Sequence, residues 1–152
     1  QLLANRAIGG MGEKEHARDI EELVGENRYL LVEGHPGSGK TTLLKHLSYS
    51  LVQNVDVKGL SGFLPVLVFL KDLSGFFAAN RKIKPKASTA EAMLSYYFNE
   101  TENGLDVETV RNFCEAGKAV FLLDGLDEVA NTEYRDSIVE SFAAFMSKRE
   151  GF

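Results

Sequence analysis

An α/β fold built on a parallel sheet is what this sequence predicts, and three observations predict it. A short apolar run, Tyr29-Leu30-Leu31-Val32, leads into a glycine-rich loop and then a helical pattern. A second run, LPVLVFL at residues 64–70, lacks in–out alternation, as expected of a strand buried on both faces of a parallel sheet. A third, residues 119–123, ends on an aspartate, and helical patterns alternate with these runs.

The elements follow in order. Residues 13–24 alternate charges with Ala17, Ile20, Leu23 and Val24, which predicts an amphipathic helix ending near Gly25. The first strand spans residues 29–32. A helix from Thr41 to about Val52 places Leu43, Leu44, Leu47 and Leu51 on one face. Beyond the second strand, residues 75–88 read as a loop, and Arg81, Lys82, Lys84 and Lys86 around Pro85 read as a solvated cluster. Leu-Ser-Gly-Phe occurs at residues 60–63 and again at 73–76, and both copies read as turns flanking that strand. Neither is followed by Gly-Gln, so neither is a transporter-ATPase signature. Ser88-Thr89-Ala90-Glu91 has capping-box spacing and opens a helix through about Phe98. Asp106 caps the next helix, which runs to about Ala116 and ends at Gly117. The third strand precedes a polar turn and a last helix over residues 133–148. Ile138, Val139, Phe142, Phe145 and Met146 form its core side.

The loop between the first strand and its helix carries the chemistry. Gly34-His35-Pro36-Gly37-Ser38-Gly39-Lys40-Thr41 fits the phosphate-loop pattern G-x-x-x-x-G-K-[ST], in the strand–loop–helix context that the pattern requires. Glycines let the backbone curl so that N–H groups point at phosphate oxygens, and the helix N-terminus adds partial positive charge. Lys40 reaches the β- and γ-phosphates, the Thr41 hydroxyl ligates Mg²⁺, and Thr42 completes the nucleotide-binding segment. At the end of the third strand, Asp124 faces the crevice where open α/β sheets bind ligands and is the second Mg²⁺ residue.

Composition narrows the classes. The chain has 152 residues, enough for one domain with a real core; 44% are hydrophobic and 26% charged, as in soluble globular chains. A net charge of −5 argues against a nucleic-acid surface. Cys114 is the single cysteine, so no internal disulfide forms and a reducing, cytoplasmic setting is expected. No apolar run approaches the ~20 residues a membrane helix needs, and the N-terminus does not read as a signal peptide. His16, His35 and His46 show no metal-ligand spacing. Both ends, at Gln1 and Phe152, read as cuts through a longer protein.

Asp124-Gly125-Leu126-Asp127-Glu128 is more specific. Many P-loop ATPases carry a glutamate directly after the magnesium aspartate; here that place is Gly125, and two acids follow three and four residues on. Leu-Leu-Asp-Gly-Leu-Asp-Glu-Val resembles the NACHT family within the STAND group of P-loop NTPases. Glu115-Ala116-Gly117-Lys118 before the third strand and Leu70-Lys71-Asp72-Leu73 after the second are similar to NACHT domains too. The resemblance implies a three-layer parallel-sheet P-loop NTPase fold, truncated before the sensor strand. Residues 1–28 would be a flanking helix and linker, and residues 29–152 a partial nucleotide-binding domain. By the same resemblance Asp127 and Glu128 orient and polarise the attacking water, with Lys40 as the third catalytic group. ATP and ADP are the expected ligands, since no Asn-Lys-x-Asp guanine-reading motif is present. The implied activity is a slow ATP-driven switch, with homo-oligomerisation in the ATP state and effector and sensor domains in the same chain. A turnover ATPase of AAA+ or motor type and a non-hydrolysing scaffold are the alternatives. Without the sensor strand, the first and third strands would close up or leave a gap, and the isolated chain would be marginally stable or self-associate.

Overall fold

In the computed structural model, residues 20–26, 30–53, 57, 59–80, 82, 84–101 and 104–147 are described. The chain divides into two compact units, Gln1–Pro65 and Val66–Phe152. The elements are mixed α/β, with six helices and two strands among the described residues.

In the first unit, α1 is Ile20–Glu26 and α2 is Lys40–Val52. The expected helix over residues 13–24 is therefore described only from Ile20, the rest lying outside the described residues, as do Tyr29 and the expected domain boundary at residue 28. Helix α2 matches its pattern: Leu47 and Leu51 are buried, with Leu43 and Leu44 half-buried beside them. The first expected strand does not form. Among residues 30–33 only Glu33 makes a β-bridge, and burial alternates, with Leu31 56% exposed. A strand exists only through a partner's N–H and C=O groups, and here pairing stops at that single bridge.

In the chain's second half, β1 (Leu64–Phe69) and β2 (Ala119–Asp124) make a parallel two-stranded sheet. This is the coarse form of the expected fold, with two strands in place of three or more. The burial inferred for both faces of β1 is complete on only one: Val66 and Val68, which share a face, are fully buried, while Leu67 and Phe69 on the other are half-buried. Leu70, expected as its last residue, instead opens a 3₁₀ turn, Leu70–Leu73.

The segment read as a loop begins with a helix, α3 (Ser74–Ala79). Packing explains the difference. Phe76 meets the Tyr96 ring edge-on at 5.8 Å, and Phe77 stacks on Tyr134 at 4.8 Å. Gly75 signals a turn in the sequence, yet it serves a close approach, because a Cβ there would collide with the Tyr96 hydroxyl. Only the other Leu-Ser-Gly-Phe copy is a turn, closed by the Phe63 N–H donating to the Leu60 carbonyl at 3.1 Å.

Helix α4 (Ala87–Thr101) starts one residue before the expected cap, so Ser88 lies inside it. The Thr89 hydroxyl donates back to the Lys84 carbonyl at 2.8 Å, and Glu91 pairs with Arg111 at 3.5 Å; no capping box forms. Helix α5 (Val107–Glu115) follows the sequence closely. Asp106 accepts from the Thr109 N–H and hydroxyl, both at 2.8 Å, and these bonds hold its carboxyl below the usual range. At the other end Gly117 adopts φ 66°, and the Gly117 and Lys118 N–H groups return to Cys114 and Phe113, a Schellman ending.

Helix α6 (Thr132–Ser147) packs along α4. Ile138, Phe142 and Phe145 are fully buried, and the rings of Phe142 and Phe145 lie 5.6 and 5.9 Å from Phe121 of β2. Val139, expected on that side, is 48% exposed, since one step along a helix turns by about 100°. Across α4, the Tyr97 hydroxyl accepts from the Phe69 N–H at 3.3 Å, and burial pushes its phenol above the ordinary value.

Ser141 is fully buried and its Oγ makes no hydrogen bond. Leaving a buried hydroxyl unpaired costs about 1–3 kcal/mol. Ser141→Ala is therefore expected to raise stability by about 1 kcal/mol. A urea midpoint that moved downward would show that the hydroxyl has a role.

Candidate functional site

The glycine loop of the first unit is a tight structure. Gly34 to Gly37 are exposed, and the Ser38 N–H closes a turn on the His35 carbonyl at 3.0 Å. Gly37 and Gly39 take φ 78° and 89°, the left-handed region that costs an ordinary residue about 1–2 kcal/mol. Gly39 is the N-cap of α2, its carbonyl accepting from the Leu43 N–H at 2.9 Å. Having no side chain, it offers no cap bond, so the first-turn N–H groups and the positive helix end belong to the loop.

Two further features draw the loop in. Lys40 is bent over it: Nζ donates to the Gly34 carbonyl at 2.6 Å and to the His35 carbonyl at 3.2 Å. Ser38 Oγ is buried without a hydrogen-bond partner, and a Cβ on Gly34 would stand 2.6 Å from it. The structure thus brings Gly34, His35, Ser38, Gly39 and Lys40 together, with the exposed Pro36–Gly37 tip as the turn. Thr41 and Thr42 are exposed on the first turn of α2.

The acidic segment of the second unit is a 3₁₀ turn at the carboxyl end of β2. Asp124 is half-buried as the strand's last residue, and Leu126–Glu128 form the turn. Gly125 between them has φ 79°; the Glu128 N–H donates to its carbonyl at 3.0 Å. A Cβ on Gly125 would lie 3.4 Å from the Glu128 carboxyl carbon, so the bare glycine gives that carboxylate room to fold over the turn. Asp127 and Glu128 are both exposed, while Val129 is buried behind them.

Three features here were not anticipated from the sequence. Asn131 caps α6, its Oδ1 accepting from the Glu133 N–H at 2.9 Å; an asparagine just ahead of an apolar-periodic run is a signal that could have found it. Arg135 donates through Nε to the Val129 carbonyl at 2.6 Å and through Nη2 to the Asp127 carbonyl at 3.1 Å. A cleft of about 370 Å³ also opens beside the turn, with Glu128, Asn131 and the Phe77–Tyr134 stack among its walls. No sequence pattern marks either of these.

A glycine loop capping a helix and a parallel strand ending on an acid are each features of nucleotide-binding NTPase domains. The model of one such family, described as "Novel STAND NTPase 3", matches residues 13–126, and the chain belongs to that family. The match supports the STAND class expected from the sequence and does not extend to the name NACHT. It covers the glycine loop and Asp124 and stops before Asp127 and Glu128. No curated protein and no solved structure matched the chain. Among the described residues no helix is long and apolar enough to cross a membrane.

Proposed function

We propose that the protein is an ATP-binding, slowly hydrolysing switch module whose Mg-ATP state favours assembly with further copies and whose ADP state is at rest. The observation that carries the reading is the glycine loop, with Gly39 capping α2 in a left-handed conformation and Lys40 Nζ held over the loop carbonyls. A phosphate group would replace those carbonyls as the partner of Lys40, taking N–H groups from the loop and helix start. The orphaned Ser38 Oγ supports the same reading, because a buried hydroxyl without a partner often marks a ligand site.

Mg²⁺ fits the donors proposed for it. Thr41 and Asp124 offer oxygen, and this cation keeps several waters and binds through one or two protein ligands plus phosphates. Among the described residues no group of three or more His, Cys, Asp or Glu could hold a metal ion. The bound cation would neutralise charge on the phosphates. Asp127 and Glu128 would orient and polarise the attacking water, as the NACHT-like spacing of the acids suggests. Such a switch needs about 5.5 kcal/mol of differential affinity for a full swing between states. Flanking sensor and effector domains are proposed to supply the signal and the output.

Calorimetry with ATP, ADP and GTP, each with Mg²⁺, alongside a hydrolysis assay, tests this. Tight ADP retention, slow ATP turnover and weaker GTP are expected. Fast turnover with weak ADP would favour a motor-type ATPase, and no binding of any nucleotide would end the proposal.

A further inference from the structure

We infer that Arg135 is a positioning residue for the acidic turn, holding its main chain so that the Asp127 and Glu128 carboxylates stand in one place. The inference rests on the reading of those two acids as the water-polarising pair. Arg135 stands in the first turns of α6, where a cation opposes the helix dipole; Lys and Arg are favoured at the opposite end. What offsets that placement is a pair of charge-assisted hydrogen bonds to the carbonyls of Asp127 and Val129. The planar guanidinium presents fixed, divergent donors and so spans two carbonyls two residues apart. A lysine ammonium is a single point of charge.

The turn needs such a brace. It is one 3₁₀ turn, closed at 3.0 Å by Glu128 N–H to Gly125 and at 3.4 Å by Val129 N–H to Leu126. It begins at a left-handed glycine, and both carboxylates project from exposed positions. Their placement is therefore inherited from the backbone. Arg135 connects that backbone to α6, which is seated by Ile138, Phe142 and Phe145 in the core. The path runs from packed helix to guanidinium, from guanidinium to turn, and from turn to the reacting carboxylates.

Arg135→Ala, Arg135→Lys, Asp127→Asn with Glu128→Gln, and the combination of Arg135→Ala with the acid pair would be compared in the full chain. Turnover, KM for Mg-ATP and thermal unfolding are the readouts. Arg135→Ala should lower kcat about tenfold with KM little changed, the scale expected when an orienting partner is lost. Arg135→Lys should recover part of that loss. In the acid-pair background Arg135→Ala should add no further loss, because its effect passes through those carboxylates. A wild-type rate in Arg135→Ala, with the acid pair slow, would overturn the inference and leave the proposed function standing. An equal fold-loss in both backgrounds would also overturn it, marking Arg135 as structural only. If the acid pair itself turned over at the wild-type rate, the reading of those acids would fail and this inference with it. Should Arg135→Ala not fold, a folded Arg135→Lys with wild-type kcat would overturn the inference alone.

Discussion

Exchanging Asp127 for asparagine together with Glu128 for glutamine is expected to slow ATP hydrolysis by about 10²–10⁴-fold, the range for losing a general base. Mg-ATP affinity should stay near that of the parent chain. The separation follows from the proposed roles. Both side chains are exposed on a turn beyond β2 and are assigned to the attacking water, whereas phosphate binding is assigned to the glycine loop and Lys40. The amides are close in size to the acids they replace, so Gly125 still accommodates residue 128. What disappears is the charge that would polarise a water. Single variants apportion the effect between the two acids. Glu128 is the one folded toward Gly125, so Gly125→Ala should slow turnover as well if Glu128 is the residue that acts. Radiolabelled ATP under single-turnover conditions reads the rate, and calorimetry reads the affinity. Loss of binding in step with loss of rate would contradict the assigned roles.

Much of this architecture was legible because local signals agreed with tertiary packing. Asp106 and Gly117 bound α5 as their side-chain and backbone chemistry dictates. One face of β1 is buried through Val66 and Val68 and the other only partly, and Leu47 and Leu51 mark the inner face of α2. The glycine loop was legible for a stronger reason: its positive-φ glycines and its helix-capping role are demanded by the backbone itself. Where the reading failed, distant partners decided. Helix α3 depends on Phe76 and Phe77 meeting Tyr96 and Tyr134, residues far along the chain. Ser88 lost its capping role because Glu91 faces Arg111 and the helix begins earlier. Residues 30–32 have the composition of a strand, but composition cannot supply the neighbour that a strand pairs with. Arg135 was invisible for the same reason, since its role lies in two carbonyls that only the folded turn presents. The acidic positions could be read in advance; what holds them could not.

Lys40→Ala should weaken ATP and ADP binding by about 1.5–3 kcal/mol, roughly 10- to 150-fold in Kd, the usual contribution of a charge-assisted hydrogen bond. Nζ is already held over the loop by the Gly34 and His35 carbonyls, so little side-chain freedom is lost when a phosphate takes over. Removing it also leaves those two carbonyls without the donor. Both belong to exposed residues that water reaches, so the fold should be unaffected. The pattern across nucleotides is the sharper test. Lysine in such a loop reads the β- and γ-phosphates, whereas the loop N–H groups also serve the α- and β-phosphates. Lys40→Ala should therefore penalise ATP and ADP and leave the weak binding of AMP unchanged. A uniform loss across all three nucleotides, with a lowered unfolding midpoint, would mean that Lys40 braces the loop through Gly34 and His35 instead of binding phosphate.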